Sequence, residues 1–193
     1  MTDRARGIGG RGLAAIGAGI VGATIATLAA MGRPFLCACG HARLWHGPID
    51  AETSQHLADW YSPSHLIHGL IFYALLRWLL PCWRTAARLI PALIVEAAWE
   101  IAENTPTVIG RYRDATVALG YSGDSIVNSL GDIAFMAIGF GIAARVPWWS
   151  AVTLGVALEL VALAAIRDNL TLNVLMLLWP VATIKAWQAG QSE

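Results

Sequence analysis

The sequence predicts an all-α integral membrane protein, a bundle of six transmembrane helices with both termini cytoplasmic. Three observations carry the prediction. Hydrophobic residues make up 56% of the 193-residue chain and charged residues only 13%, against about 25% in soluble domains. Apolar runs of bilayer-spanning length recur along the chain between short polar turns, and the mean hydropathy is +0.56. The acids that interrupt those runs stand at helical spacing, as groups sharing one face do. The formal net charge is zero, so nothing suggests a nucleic-acid partner. Three cysteines are too few for a disulfide scaffold.

The first expected span, 13–31, follows a basic start with Arg4, Arg6 and Arg11. A basic start before an apolar run also fits a signal peptide, but this run exceeds a usual signal core and no small-residue cleavage site follows. Gly17-Ala18-Gly19-Ile20-Val21-Gly22 matches a dinucleotide-binding fingerprint, yet the preceding strand and the acid about 20 residues on are missing. Small residues for close helix packing are the better reading. A polar loop is expected over 33–63, then spans at 64–80 and 89–104 joined by a basic turn. A second polar loop, 105–123, precedes spans at 124–144, 147–166 and 170–187.

Basic residues orient the bundle. With the N-terminus inside, Arg4, Arg6, Arg11, Arg77, Arg84, Arg88, Arg145 and Lys185 fall on the cytoplasmic side. Arg33, Arg43, Arg111, Arg113 and Arg167 fall outside. Trp78, Trp83, Trp148, Trp149 and Trp187 then form an inner aromatic belt. This orientation gathers the unusual polar residues at the outer ends of the helices.

Glu96, Glu100 and Glu103 lie at i, i+4 and i+7, within about 60° of arc on a helix. Acids inside a bilayer are costly and mark function by default. Glu96, Glu100 and Asp132 are therefore the candidate catalytic residues. The alternative is pairing with Arg111 or Arg113 as structural glue. His65-x-x-His68 turns two imidazoles to one side. With Glu100 and Asp124 they are the candidate ligands of a divalent ion, since zinc accepts histidine and carboxylate. The alternative is interfacial histidines bonded to the loop. Asp124, Asn128 and Asp132 run down one face of the next span, either as a functional wall or as polar packing between helices. Arg111, Arg113, Asn128 and Glu103 are the candidate substrate contacts, the guanidinium forks suiting an anion. Glu96, Asp132 and Glu159 would instead form the relay of a transporter. Ser62 or Ser64 is the expected cap of the 64–80 helix. Cys37-x-Cys39, with His41 or His46, is a weak metal signal and equally a disulfide on a face where disulfides are permitted.

Several segments together resemble a family of small, uncharacterised alphaproteobacterial inner-membrane proteins of the UPF/DUF type. They include Leu44-Trp45-His46-Gly47, Asp59-Trp60-Tyr61-Ser62-Pro63-Ser64-His65, Glu96-Ala97-Ala98-Trp99-Glu100, Arg111-Tyr112-Arg113 and Arg167-Asp168-Asn169. The resemblance runs from about Arg33 to Trp187 and implies a multi-pass location in the bacterial inner membrane, with no activity attached. A looser likeness is to VanZ-like membrane proteins, which also place acids and an Asp/Asn pair at helix ends.

The resulting expectation is an outward-facing polar site, acting by hydrolysis or group transfer on a lipid, lipid-linked or anionic substrate, with a divalent metal ion as the cofactor. An ion-coupled transporter and a non-catalytic assembly or resistance factor are the alternatives.

Overall fold

The computed structural model describes residues 9–116 and 120–190. Arg4 and Arg6 lie outside the described residues. Five of the six expected spans form as long helices: α1 (Gly10–Ala30), α2 (Ser62–Leu79), α3 (Thr85–Glu103), α5 (Ile126–Ala143) and α6 (Trp148–Ile166). At 1.5 Å per residue each is roughly 27–32 Å long, close to the hydrocarbon thickness of a bilayer. Of these, α1, α5 and α6 are long and apolar enough to cross a membrane. Helices α2 and α3 have the length, but His65, His68, Arg77, Arg88 and three glutamates lower their apolarity.

Two expectations are corrected. The loop at 105–123 contains a helix, α4 (Pro106–Ala115), capped by Thr105 and started by Pro106. The sixth span does not form. Pro180 has no amide hydrogen to donate and pushes Trp179 out of the helical region, so the segment splits into α7 (Leu170–Leu178) and α8 (Ala182–Ala189). Neither reaches spanning length.

The two short helices fold back on each other. Gln188 Nε2 at the end of α8 donates to the Arg167 carbonyl (3.1 Å), and Arg167 Nη1 donates to the Trp187 carbonyl (3.0 Å). Lys185 donates to the carbonyl of Asp114, at the end of α4. Helices α7 and α8 therefore return to the face where α6 ends. Lys185 and Trp187 move from the inner group to the outer one. The basic residues are then nearly balanced, seven against six, and orient the bundle only weakly.

Helices α2 and α5 approach each other closely. A Cβ on Gly69 would collide with the Met136 carbonyl, and one on Gly139 with the Leu66 carbonyl. Leu70, Tyr73, Leu93, Ile133, Met136 and Phe140 form a sealed apolar core along one half of α2, α3 and α5. The polar residues of the same helices occupy the other half. Helices α1 and α6 turn mostly outward, with Trp148, Val152, Val156 and Leu160 exposed. A soluble protein rarely shows so continuous an apolar surface, and a lipid-facing one does.

Two measurements test this arrangement. The native Cys82 is exposed in the α2–α3 turn. In intact spheroplasts, Ala51→Cys and Gly190→Cys should react alike with an impermeant thiol reagent, and Cys82 oppositely; a sixth span would pair Gly190 with Cys82 instead. Gly139→Leu should cost about 3 kcal/mol of stability, in the overpacking range, read as a lowered unfolding midpoint in detergent, while Val156→Leu on the outer face should leave it unchanged.

A candidate metal centre

The α2–α5 contact fixes the site. Gly69, one residue after His68, meets the α5 backbone at Met136, and Gly131, one residue before Asp132, meets the Leu57 carbonyl of the loop, so each helix carries a polar group beside a close backbone approach. Helix α3 lies alongside and turns the same face of its glutamates inward; Glu96 and Glu100 are 0% and 1% exposed.

His65 is the hub. Its Nδ1 lies 2.6 Å from Glu96 Oε1 and 3.4 Å from Glu100 Oε1, and its Nε2 lies 3.7 Å from Asp132 Oδ2. His68 Nδ1 lies 3.1 Å from Glu96 Oε2. One ligand atom from each of His65, His68 and Glu96 falls within 4.8 Å of the others, and the same holds for His65, Glu100 and Asp132. With neutral imidazoles, both Nδ1–H groups donate to Glu96. A metal ion in their place would have two nitrogens and one carboxylate, a ligand set found in catalytic zinc sites that keep one position open.

Glu100 is the anomaly. Both its oxygens are buried with no hydrogen-bond donor among the described residues. An ionised carboxylate in that condition costs several kcal/mol. Three carboxylates face two imidazoles, so even with both rings protonated the cluster stays negative unless a carboxyl takes a proton or a cation binds. Asp132 is better held. Its Oδ1 accepts from Ser62 Oγ (2.9 Å), whose oxygen accepts in turn from the Asp59 amide (3.1 Å). Ser62 thus serves the site, and the expected serine cap is absent: the residue before α2 is Tyr61, with no side-chain cap.

His65, His68, Glu96 and Asp132 line the floor of a cavity of about 780 Å³, and Glu100 is buried next to them without lining it. Its walls carry Trp60, Trp99, Phe72, Tyr112 and Tyr121, together with Asp50, Glu103, Asp124 and Asn128. Among the described residues, no lysine or arginine lines it. The expected anion contacts are therefore elsewhere: Arg111 Nε donates to the Leu177 carbonyl (2.8 Å), and Arg113 Nε to that of Tyr121.

Other expected residues also differ in position. Asp124 belongs to neither ligand group; its carboxylate accepts from Asn104 Nδ2 (2.7 Å) and Tyr121 Oη (2.9 Å). Asn128 lines the cavity, yet its Nδ2 donates to the His56 carbonyl and ties down the 33–61 loop. Glu103 shares the Tyr121 hydroxyl at 3.3 Å. Glu159 lies outside this cavity and accepts from the amides of Leu170 (2.9 Å) and Thr171 (3.0 Å), holding the start of α7. Asn104 and Tyr121 were not singled out from the sequence, and Ser62 only as a helix cap. They carry no spacing signal, because their partners come from other elements.

The loop has its own histidines. Cys37 and Cys39 form a disulfide. His46 bonds Asp50 (2.9 Å) and His56 bonds Glu52 (3.0 Å), holding both carboxyls below their ordinary range. His56 Nδ1 accepts from the Arg43 amide, which leaves its proton on Nε2 for Glu52. The ring is thus satisfied as a structural pair and is poorly set to bind metal beside the cysteines.

These features define an all-helical protein, with three helices long and apolar enough to cross a membrane and a buried histidine–carboxylate cluster beside an acidic, aromatic cavity. A family model described as protein of unknown function, DUF2585, matches residues 28–190, and the chain belongs to that family. A UPF0314 protein of Sphingopyxis alaskensis is 52% identical over 176 residues, covering 91% of this chain and 94% of its own. One from Sinorhizobium fredii is 53% identical over 173 residues, with 89% and 88% covered. One from Novosphingobium aromaticivorans is 51% identical over 191 residues, with 94% and 93% covered. None of these matches carries the VanZ likeness. No solved structure matches.

Asp168, in the turn after α6, is buried, and burial raises its carboxyl to about 6. An acid held above its ordinary 3.8 stabilises the fold fully below that value and loses the contribution as pH rises through about 6. Stability in detergent should therefore fall between about pH 4 and 7, and Asp168→Asn should flatten that fall by up to about 2–3 kcal/mol. An equal pH slope in both proteins overturns the assignment.

Proposed function

We propose that this protein is a membrane-embedded, metal-dependent hydrolase of the inner membrane, with its cavity on the non-cytoplasmic face, cleaving an acyl ester or amide of an amphiphile. The observation that carries the reading is the pairing of His65, His68 and Glu96 with the orphan carboxylate of Glu100. Three ligands suit a catalytic ion with one open position. A divalent ion held by His65, His68 and Glu96 would supply an acidified water and polarise the acyl carbonyl. Glu100 is the nearest group without a partner of its own, so it takes the proton from that water. The water oxygen bonds to the acyl carbon, the bond to the leaving oxygen or nitrogen breaks, and Glu100 returns the proton to the leaving group. Asp132, on the Nε2 side of His65, orients the ring as carboxylates do behind metal-bound histidines.

The aromatic and apolar walls suit a chain-bearing substrate. The absence of arginine and lysine from the described lining argues against the anionic substrate expected from the sequence. The Cys37–Cys39 disulfide on the cavity face supports a non-cytoplasmic side. An ion-coupled transporter is less well supported, because the apolar core closes the opposite half and Glu159 is engaged in holding α7.

Protein purified in detergent should contain zinc, manganese or iron by elemental analysis. Glu96→Gln should lose most of the metal. Glu100→Gln should retain it and lose about 10²-fold or more of the hydrolysis of a chromogenic acyl ester, the scale of a general base. Protein that takes up none of these metals, or a fully active Glu100→Gln, overturns the reading.

A further inference from the structure

The chemistry of the remaining cavity wall identifies what the substrate carries. With Glu96 and Asp132 assigned to the floor, Asp50, Glu103 and Asp124 remain on the wall, the last two bonded to Tyr121, whose ring centroid lies 5.3 Å from that of Tyr112. Both tyrosine hydroxyls are spent as donors, Tyr121 on Asp124 and Glu103, and Tyr112 on Asn173 (3.1 Å). Gln188 lines the same cavity from α8 and is 3% exposed. Its Nε2 donates to the Arg167 carbonyl and its side chain also bonds the Asp168 carboxyl, while its Oε1 has no partner among the described residues. A buried carbonyl oxygen left without a donor costs about 1–3 kcal/mol, so a ligand donor is the natural complement of Gln188.

What this wall offers is consistently of one kind: carboxylate oxygens, an amide oxygen and aromatic faces, with no cationic side chain among the described lining residues. An anionic group would be repelled. A neutral hydroxyl would meet acceptors but leave the charge unanswered. A quaternary ammonium would answer the charge and suit the rings, yet has no N–H for Gln188. A primary ammonium does all three. We propose that the cavity binds an amphiphile bearing a primary ammonium group, which donates to Gln188 and faces Glu103 and the Tyr112/Tyr121 rings. This deepens the hydrolase reading by naming its substrate class, but the binding requires no metal and is tested without one.

The experiment uses full-length protein in detergent, stripped of metal by chelator, and follows the fluorescence of Trp60 and Trp99, which line the cavity. Dodecylamine is the probe; dodecanol, dodecanoate and dodecyltrimethylammonium are compared at equal chain length. Dodecylamine should bind at least about tenfold more tightly than each of the others, about 1.4 kcal/mol. Gln188→Met, which keeps the length and removes the acceptor, should erase the preference over the trimethylammonium probe, and Glu103→Gln the preference over the alcohol. Equal binding of dodecylamine and dodecanol to wild-type protein overturns the ammonium site while leaving the metal centre standing. Failure to take up metal, with the amine preference intact, overturns the hydrolase reading alone. A Gln188→Met protein that keeps the wild-type preferences and unfolding midpoint also overturns the proposal.

Discussion

The rest of the site depends on how closely α2 and α5 can approach. Gly69 and Gly139 let the two backbones meet without intervening side chains, and Gly131 lets the Leu57 carbonyl of the loop reach α5. Small residues at helix contacts are the usual means of such approach in membranes, where apolar burial gives helices no preference for each other over lipid. The consequence here is chemical. With the backbones in contact, the side chains just beyond the glycines converge: His65 and His68 from one helix, Asp132 from the other. Helix α3 then needs only to lie alongside for Glu96 and Glu100 to complete the group. Larger residues at the crossing would separate His65 from Asp132 before altering either side chain.

The acids divide into those with partners and those without, and the division separates scaffold from chemistry. Asp50 and Glu52 are held by histidines within their own loop. Asp59 accepts the amides of Ser54 (2.7 Å) and Tyr61 (2.7 Å), shaping the entry to α2. Asp124 is clasped by Asn104 and Tyr121, joining the end of α3 to the start of α5. Glu159 holds α7. Each has donors that repay desolvation. Among the described residues Glu96 has only the two imidazoles, and Glu100 has no hydrogen-bond donor. Buried polar groups are nearly always bonded, so these exceptions are what the proposed ligand would answer.

Much of this was legible in the chain. Hydropathy and charge located five helices, and the spacing of Glu96, Glu100 and Glu103 put three acids on one face before any packing was known. The HxxH spacing did the same for His65 and His68. Their convergence followed from placing both near the same ends of neighbouring helices. What was not legible shares a cause. The partners of Asp124, Asn128, Arg111 and Arg113 come from other elements, and nothing local says whether an arginine will meet a ligand or the Leu177 carbonyl. Leu170 to Trp187 is apolar enough to suggest a span, and composition outweighed the single proline that divides it.

That proline also decides what the cavity becomes. A straight sixth helix would carry Gln188 to the opposite face, far from Glu103 and Tyr112. Broken at Pro180, the chain reverses and returns Gln188 to Arg167, where Asp168 and Asn173 already stand at the cavity edge. Arg167 makes the reversal possible. It adopts the left-handed conformation at the end of α6 (φ 52°), and its guanidinium lies 5.7 Å from the Trp187 ring centre. Outside glycine, such a conformation costs of order 1 kcal/mol or more and persists only where surroundings fix it. Here a carbonyl bond, a cation–π contact and the Gln188 amide converge on one residue. The chain sustains that strain at the point where its C-terminal turn is delivered to the cavity wall.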